Sequence, residues 1–472
     1  MRSDRIVPLI IAVALFMENM DSTVIATSLP AIAADIGTNP LALKLAVTSY
    51  LLSLAIFIPA SGWTADRFGA RTVFRAAIAV FVLGSIGCAL SGSLTDFVVA
   101  RIVQGIGGAM MTPVGRIVLV RTIPKRELVG AMIWVTTPAM IGPVIGPPVG
   151  GFITTYATWH WIFLINVPIG FIGILLATKY IEDLRTEHHE RFDLVGMLLS
   201  GLGIAGVAFG FSVLGLNYLP LWIVVVLVAG GTVFIIAYLM HARRIERPAL
   251  DLTLLRLPTF RASVVGGFIF RIGIGAMPFL LPLMLQVGFG LTPFHSGLIT
   301  FASAAGAMGM KMAATSILRR FGFRTILIIN AIVSAAFLAS CATFTQATPI
   351  ALMLVLLLVG GFFRSLQFTS INTLAYAEVD TARVGRATAL VSVAQQLSLS
   401  AGVAIGALAV ESVVHWRGDG ALQASDFQPA FLAVAVISAL SVLAFLHLTP
   451  EAGAELSDRA PAPTETSDQR VG

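Results

Sequence analysis

Apolar residues run along this chain in blocks of about 20, separated by short clusters of Gly, Pro and charge. A helix rises ~1.5 Å per residue, so each block matches the ~30 Å hydrocarbon core of a bilayer. Block length and punctuation predict helices near 7–31, 41–62, 72–91, 96–120, 129–156 and 160–181, then 194–214, 219–241, 262–286, 293–318, 323–343, 349–372, 384–413 and 427–448. The expectation is an all-α integral membrane protein of fourteen crossings, multi-pass, with both termini on one side. The stretch from Glu451, rich in Ala, Pro, Thr, Glu and Asp, reads as a disordered tail.

Composition and charge extend this picture. Apolar residues are 57% and charged residues 11% of the chain, whereas soluble domains carry roughly 25% charge, so no water-soluble surface can be built. The N-terminal run is basic and then apolar, but it holds Glu18 and Asp21 and lacks a small-residue cleavage site; it reads as a retained first helix and not a signal peptide. With both termini cytoplasmic, the inner loops collect nearly all the loop arginines and lysines, from Arg67, Arg71 and Arg75 to Arg383 and Arg386. The outer loops keep Arg417 and the borderline Lys44. That asymmetry is the positive-inside pattern, and it accounts for the net charge of +6 without a nucleic-acid partner. Cys88 and Cys341 fall mid-helix and suggest neither a staple nor a metal site.

The chain also repeats itself. Ala65-Asp66-Arg67-Phe68-Gly69-Ala70-Arg71-Thr72, after the second helix, returns 253 residues later as Leu318-Arg319-Arg320-Phe321-Gly322-Phe323-Arg324-Thr325, after the tenth, and the same offset carries Cys88 onto Cys341. A parallel repeat mapping helix 2 onto helix 10 implies two six-helix bundles related by a pseudo-two-fold axis, with two extra helices between them. The domains expected are 1–181, the N-terminal bundle; 182–261, the inserted helices and flanking loops; 262–448, the C-terminal bundle; and 449–472, the tail.

Four segments resemble the major facilitator superfamily, in its fourteen-helix drug:proton antiporter branch with members of the EmrB and QacA type. They are Met20-Asp21-Ser22-Thr23-Val24-Ile25-Ala26-Thr27-Ser28-Leu29-Pro30 on helix 1, Gly62-Trp63-Thr64-Ala65-Asp66-Arg67-Phe68-Gly69-Ala70-Arg71 after helix 2, Arg101-Ile102-Val103-Gln104-Gly105 on helix 4, and Gly142-Pro143-Val144-Ile145-Gly146-Pro147-Pro148-Val149-Gly150-Gly151 on helix 5. Within the branch, Thr158 to Asn166 and Arg271-Ile272-Gly273-Ile274-Gly275 are most similar to the MdtD-type subgroup. The resemblance implies a proton-coupled exporter of the multidrug type in a bacterial inner membrane, a gating loop at Gly62, Asp66, Arg67, Gly69 and Arg71, and an antiporter motif on helix 5. It further implies that Asp66 engages the opposite bundle when the inner side is shut. Two departures stand out: Leu45 occupies a position where the branch has a tryptophan, and Glu18 adds a second acid to helix 1.

Seven charges fall well inside the predicted crossings: Glu18, Asp21, Arg101, Arg116, Arg271, Lys311 and Arg364. At ~2.5–3.5 kcal/mol each they oppose insertion by roughly 20 kcal/mol unless paired or hydrated. Glu18 and Asp21 are three residues apart on one helix face and can share a site, where burial and like charge favour taking up a proton; they are the candidates for proton coupling. A purely structural role for Asp21 is the alternative. Arg101 reads as a helix-holding residue, and Lys311 as reaching the inner interface. Arg116, Arg271, Arg364, Gln367, Tyr50 and Asn166 are the candidate cavity residues. Their basic balance favours an anionic or zwitterionic cargo, for example a carboxylate or a metal chelate such as citrate or iron-citrate, over a cationic drug. Gly142, Gly146 and Gly150 recur every four residues on helix 5 and offer a bare face, matched on helix 10 by Ala302, Ala305, Gly306 and Gly309, so these two surfaces are expected to meet.

The seven histidines lie mainly at helix ends and in loops, with no metal-ligand spacing, and no cofactor is expected. No nucleophile, base and orienting group come together in the pattern, which argues against an enzyme. An uncoupled facilitator and a substrate sensor remain the rival classes. The expected partners are a small molecule, protons and lipid, around a monomer.

Overall fold

The computed structural model describes residues 3–124, 127–182, 192–214, 216, 219–418 and 421–457; Lys125, Arg126, the loop holding His188 and His189, and the last fifteen residues lie outside them. Every regular element among the described residues is helical. In chain order the crossings are α1 (Ile6–Thr27), α2 (Pro40–Phe68), α3 (Ala70–Ala89), α4 (Leu94–Thr122), α5 (Gly130–Tyr156), α6 (Trp161–Tyr180), α7 (Leu194–Val213), α8 (Leu221–Ala242) and α9 (Pro258–Gly288). Then follow α10 (Pro293–Phe321), α11 (Phe323–Thr343), α12 (Ile350–Leu374), α13 (Val384–Arg417) and α14 (Ala424–Leu446). Thirteen are long and apolar enough to cross a membrane on composition alone. The exception, α10, carries Lys311, Arg319 and Arg320 among small residues, and it packs against α5 and α12.

Several helices outrun their apolar blocks. The second continues past a 3-10 turn at Ile58–Ala60 to Phe68, the thirteenth reaches Arg417, and the ninth is extended at both ends through π-helical turns at Ala262–Gly266 and Met284–Gly288. Hydrophobicity reports only the length immersed in hydrocarbon; a helix continues into the interface wherever its end groups can be satisfied there. The disorder expected from Glu451 does not hold for the described part of that stretch, where Ala454–Ser457 forms a 3-10 turn and Gly453, at φ 72°, lies against Phe323.

The first six crossings pack together, as do the last six, and a shift of eight helices maps one bundle onto the other. The turns after α2 and α10 use glycines at the same repeat position and with the same positive φ, Gly69 at 88° and Gly322 at 76°, a backbone conformation that favours glycine. Two broad seams join the bundles, α5 with α10 and α2 with α13, and the eight-helix shift makes them symmetry mates. The inserted α7 packs on α8 and on α2, next to the second seam. Only 17% of α8's apolar window is buried, so Leu221, Trp222, Val225 and Val226 face outward as a lipid surface would.

The glycines of α5 act differently from expectation. A Cβ at Gly142, Gly146 or Gly150 would meet α1, at Phe16 O, Thr23 Oγ1 and Val24 O respectively; the bare face docks α1 inside its own bundle. The α5–α10 seam closes instead through Gly151 against the Pro293 carbonyl and Gly297 against the Pro147 carbonyl. Gly306 faces Leu358 of α12, and Gly309 faces open space.

Within the first bundle, a Cβ at Gly107 would lie 2.4 Å from the Phe81 backbone nitrogen, where α4 touches α3. Gly107→Ala is therefore expected to cost ~1–3 kcal/mol by overpacking. Gly130→Ala, whose Cβ meets nothing within 4 Å, is expected to stay within about 1 kcal/mol of the parent. Thermal unfolding of the two purified variants in detergent reads the difference.

Candidate functional site

A cavity of about 1340 Å³ lies between the bundles. Its walls come from α1, α2, α4 and α5 and from their repeat mates α9, α10, α12 and α13. It reaches Asp66, Asp193, Arg247 and Arg386, which lie toward the face where α1 begins and α14 ends. The opposite face is shut by contacts across the bundles: Gln286 Nε2 donates to the Thr27 carbonyl at 2.9 Å, and the Phe294 N–H donates to Thr155 Oγ1 at 3.0 Å.

The two acids of α1 part company. Three residues along an α-helix leave side chains ~60° apart, and that angle separates their environments. Glu18 lines the cavity, where it accepts from Thr112 Oγ1 at 2.8 Å. Asp21 is fully buried inside the first bundle and accepts from Arg101 Nη1 at 2.7 Å, Gln104 Nε2 at 2.8 Å and Asn166 Nδ2 at 2.9 Å. Ser85 Oγ accepts from Gln104 and Asn166, and the Tyr50 ring lies under the Arg101 guanidinium, 4.2 Å from centroid to Cζ. Gly105 lets α4 come close enough to α2 for this, since a Cβ there would lie 2.8 Å from the Tyr50 carbonyl. Tyr50 and Asn166, expected in the cavity, belong to this closed cluster, Asn166 through its amide bond to Asp21 and Tyr50 through its ring against Arg101. Glu18 and Asp21 do not share a site.

The cations of the second bundle are arranged more openly. Arg364, Lys311 and Asn372 line the cavity, with Arg116 across from them on α4. Arg364 Nη2 donates to Ser303 Oγ at 2.8 Å. Arg271 sits behind the wall, 1% exposed, donating to Asn372 Oδ1 at 2.7 Å and lying over the Phe368 ring. Gln367 is fully buried between the Leu327 carbonyl and Asn330 and does not reach the cavity. Lys311, read from sequence as snorkelling, projects into cavity space. Among the described residues none of Arg271, Lys311 and Arg364 forms an ion pair.

At the rim, Asp66 accepts from Arg121 of its own bundle, and Arg67 lies over the Trp63 and Phe68 rings at 5.6 and 5.8 Å. Asp193 caps α7. Burial pushes its carboxyl up, but hydrogen bonds from His241 and from the Gly196 and Ala249 N–H groups outweigh that and hold it below the usual range. On the shut face, Lys44 is not a loop residue but fully buried, with its ammonium 2.7 Å from Glu411 Oε2. The signal was present in the sequence: an acid inside the last turns of helix 13 and a base in the first turn of helix 2, at similar membrane depth.

The sequence model described as Major Facilitator Superfamily matches residues 11–242 and 263–469. The chain belongs to the Major Facilitator Superfamily. Relatives named for multidrug resistance, MdtD, from Salmonella heidelberg (strain SL476) and Salmonella typhimurium (strain LT2), are each 39% identical, over 446 and 450 residues, covering 93% of this chain and 94% of theirs. The structure of a D-xylose-proton symporter superposes with a TM-score of 0.69 at 17% identity, over 95% of this chain and 98% of that one. A bacterial homolog of the human lysosomal transporter Spinster, inward-facing and unoccupied, gives 0.65 at 15%, over 98% and 99%. These superpositions establish the fold. The chain is a multi-pass membrane transporter, not an enzyme.

Removing the Asp21 charge while Arg101 stays buried leaves an uncompensated guanidinium. Asp21→Asn is expected to cost roughly 3 kcal/mol or more, whereas Glu18→Gln, beside hydrated space, should stay within about 0.5 kcal/mol of the parent. Denaturation midpoints in detergent separate the two. Equal midpoints would remove the structural assignment of Asp21.

Proposed function

We propose that this transporter exports small molecules in exchange for protons by alternating access, in a bacterial cytoplasmic membrane with both termini in the cytoplasm. The observation that carries this reading is the single carboxyl of α1 that lines the cavity, Glu18, facing a space enclosed by both bundles and open on one side. Arginines and lysines crowd the loops on that open side, which supports its assignment as the cytoplasmic one by the positive-inside pattern.

Glu18 then works as follows. With the cavity open to the cytoplasm, cargo entering near Glu18 favours the ionised carboxylate or competes for its place, and the proton leaves inward. After the bundles rock, Glu18 meets the outer solution and takes up a proton as cargo departs. Return with the acid neutral completes the cycle. Each proton contributes ~2.3 kcal/mol per 100 mV of membrane potential and ~1.4 kcal/mol per pH unit. Asp21 holds α1 to α4 and α6 through Arg101 and Asn166, which fixes where Glu18 points. Asp66 pairs with Arg121 while the inner side is open; by family resemblance it transfers to the opposite bundle as that side closes. The MdtD relatives' name suggests drugs as cargo.

A second reading of the cargo is favoured by the second bundle. Arg364 and Lys311 on the cavity wall, with Arg271 behind, have no acid partner among the described residues, so an anionic or zwitterionic cargo, an organic acid or its metal chelate, would supply the missing charge.

Reconstituted vesicles test both readings. A pH gradient should drive uptake by the parent but not by Glu18→Gln, and Asp21→Glu should retain part of the drive. Uptake that ignores the gradient in the parent would establish an uncoupled facilitator. Arg364→Gln is expected to weaken an organic anion by about tenfold, ~1.4 kcal/mol, and to leave a cationic dye unaffected; the opposite pattern excludes the anion reading.

A further inference from the structure

We infer that Lys44 of α2 and Glu411 of α13, with the end of α7, form an ionic clasp that holds the outer side of this transporter shut and must open in every cycle. The designation of that side as outer rests on the orientation proposed above; the clasp itself does not.

The geometry is specific. Lys44 is completely buried, and an ammonium has three hydrogens to give. Two go to Glu411, at 2.9 Å to Oε1 and 2.7 Å to Oε2, and the third to the Leu214 carbonyl at 3.3 Å, just past α7. Three separate parts of the chain meet at one ammonium: the first bundle, the second bundle and the inserted pair.

Position distinguishes a clasp from a structural staple. A staple such as Asp21–Arg101 ties helices of one bundle, which move together. Lys44–Glu411 spans the α2–α13 seam, at the end opposite the cavity mouth, so the rocking that opens this side must pull its partners apart. Its symmetry mate, the α5–α10 seam, closes on neutral backbone contacts, Gly151 with Pro293 and Gly297 with Pro147. The outer side is thus shut by close packing at one seam and by charge at the other.

The chemistry suits a reversible closure. A buried ion pair gains little net stability, because its attraction is offset by desolvation. When the seam parts, water reaches both charges and restores what burial removed, so the pair holds one geometry without trapping it. Below it lies the apolar core in which Ile25 and Leu29 of the first bundle meet Leu281, Leu285, Ala407 and Val410 of the second; the charges seal this core at its outer edge. The Leu214 contact also gives the inserted helices a task, since α7 stands against α2 beside the seam and supplies the third acceptor.

The test uses a cysteine at Ala407, fully buried and four residues before Glu411, hence on the same helix face, in full-length protein with Cys88 and Cys341 replaced by alanine. Labelling by a polar maleimide is followed on purified protein in detergent, where both faces are accessible and membrane orientation is irrelevant. The parent reporter should react slowly, Lys44→Met and Glu411→Gln at least about tenfold faster, and the exchanged pair Lys44→Glu with Glu411→Lys close to the parent rate. Single variants that label no faster than the parent would overturn the clasp, and so would an exchanged pair as fast as the singles. If the single variants fail to accumulate, the double variant Lys44→Met with Glu411→Met removes both charges without orphaning either. Fast labelling of that double variant supports the clasp, and slow labelling refutes it.

Discussion

Inside a bilayer no water is available to solvate a charge, so every ionised side chain that crosses must find a partner or a wet cavity. This constraint sorts the charged residues of the chain. Asp21 and Arg101 satisfy each other in the dry interior of one bundle. Lys44 and Glu411 satisfy each other across two bundles. Glu18, Arg116, Lys311 and Arg364 line the cavity. The first group ties helices within one bundle, the second spans the seam between the bundles, and the third faces whatever enters.

The same sorting applies to small residues. Glycine on a membrane helix permits backbone approach, and which helix approaches decides what the glycine does. On α5 the four-residue repeat of Gly142, Gly146 and Gly150 receives α1, so the motif expected to join the bundles shapes the wall that carries Glu18. The joining falls to Gly151 and Gly297 near the shut face.

The division of labour between Glu18 and Asp21 follows from the same geometry. About 60° of rotation along α1 places one acid on the cavity wall and the other inside the bundle. The buried acid cannot be neutralised without stranding Arg101, while the lining acid has Thr112 beside it and room for water. One helix therefore carries one acid held in a closed polar cluster and another beside the open cavity.

By itself the sequence determined the number of crossings, the pseudo-two-fold repeat and the side on which positive charge accumulates, because these depend on apolar length, on self-similarity and on loop composition, all of which can be read along the chain without knowing which helices touch. It also named the charges that need explaining. Only the tertiary structure decided their partners: that Tyr50, Asn166 and Gln367 are packing residues and Arg364 a wall residue, that Lys44 is a buried half of an ion pair 367 residues from the other half, and that Gly142, Gly146 and Gly150 of α5 face α1. Helical periodicity tells which residues share a face but not which neighbour that face meets. In a bundle of apolar helices hydrophobicity no longer marks the inside, so the choice among neighbours falls to contacts between residues far apart in the chain.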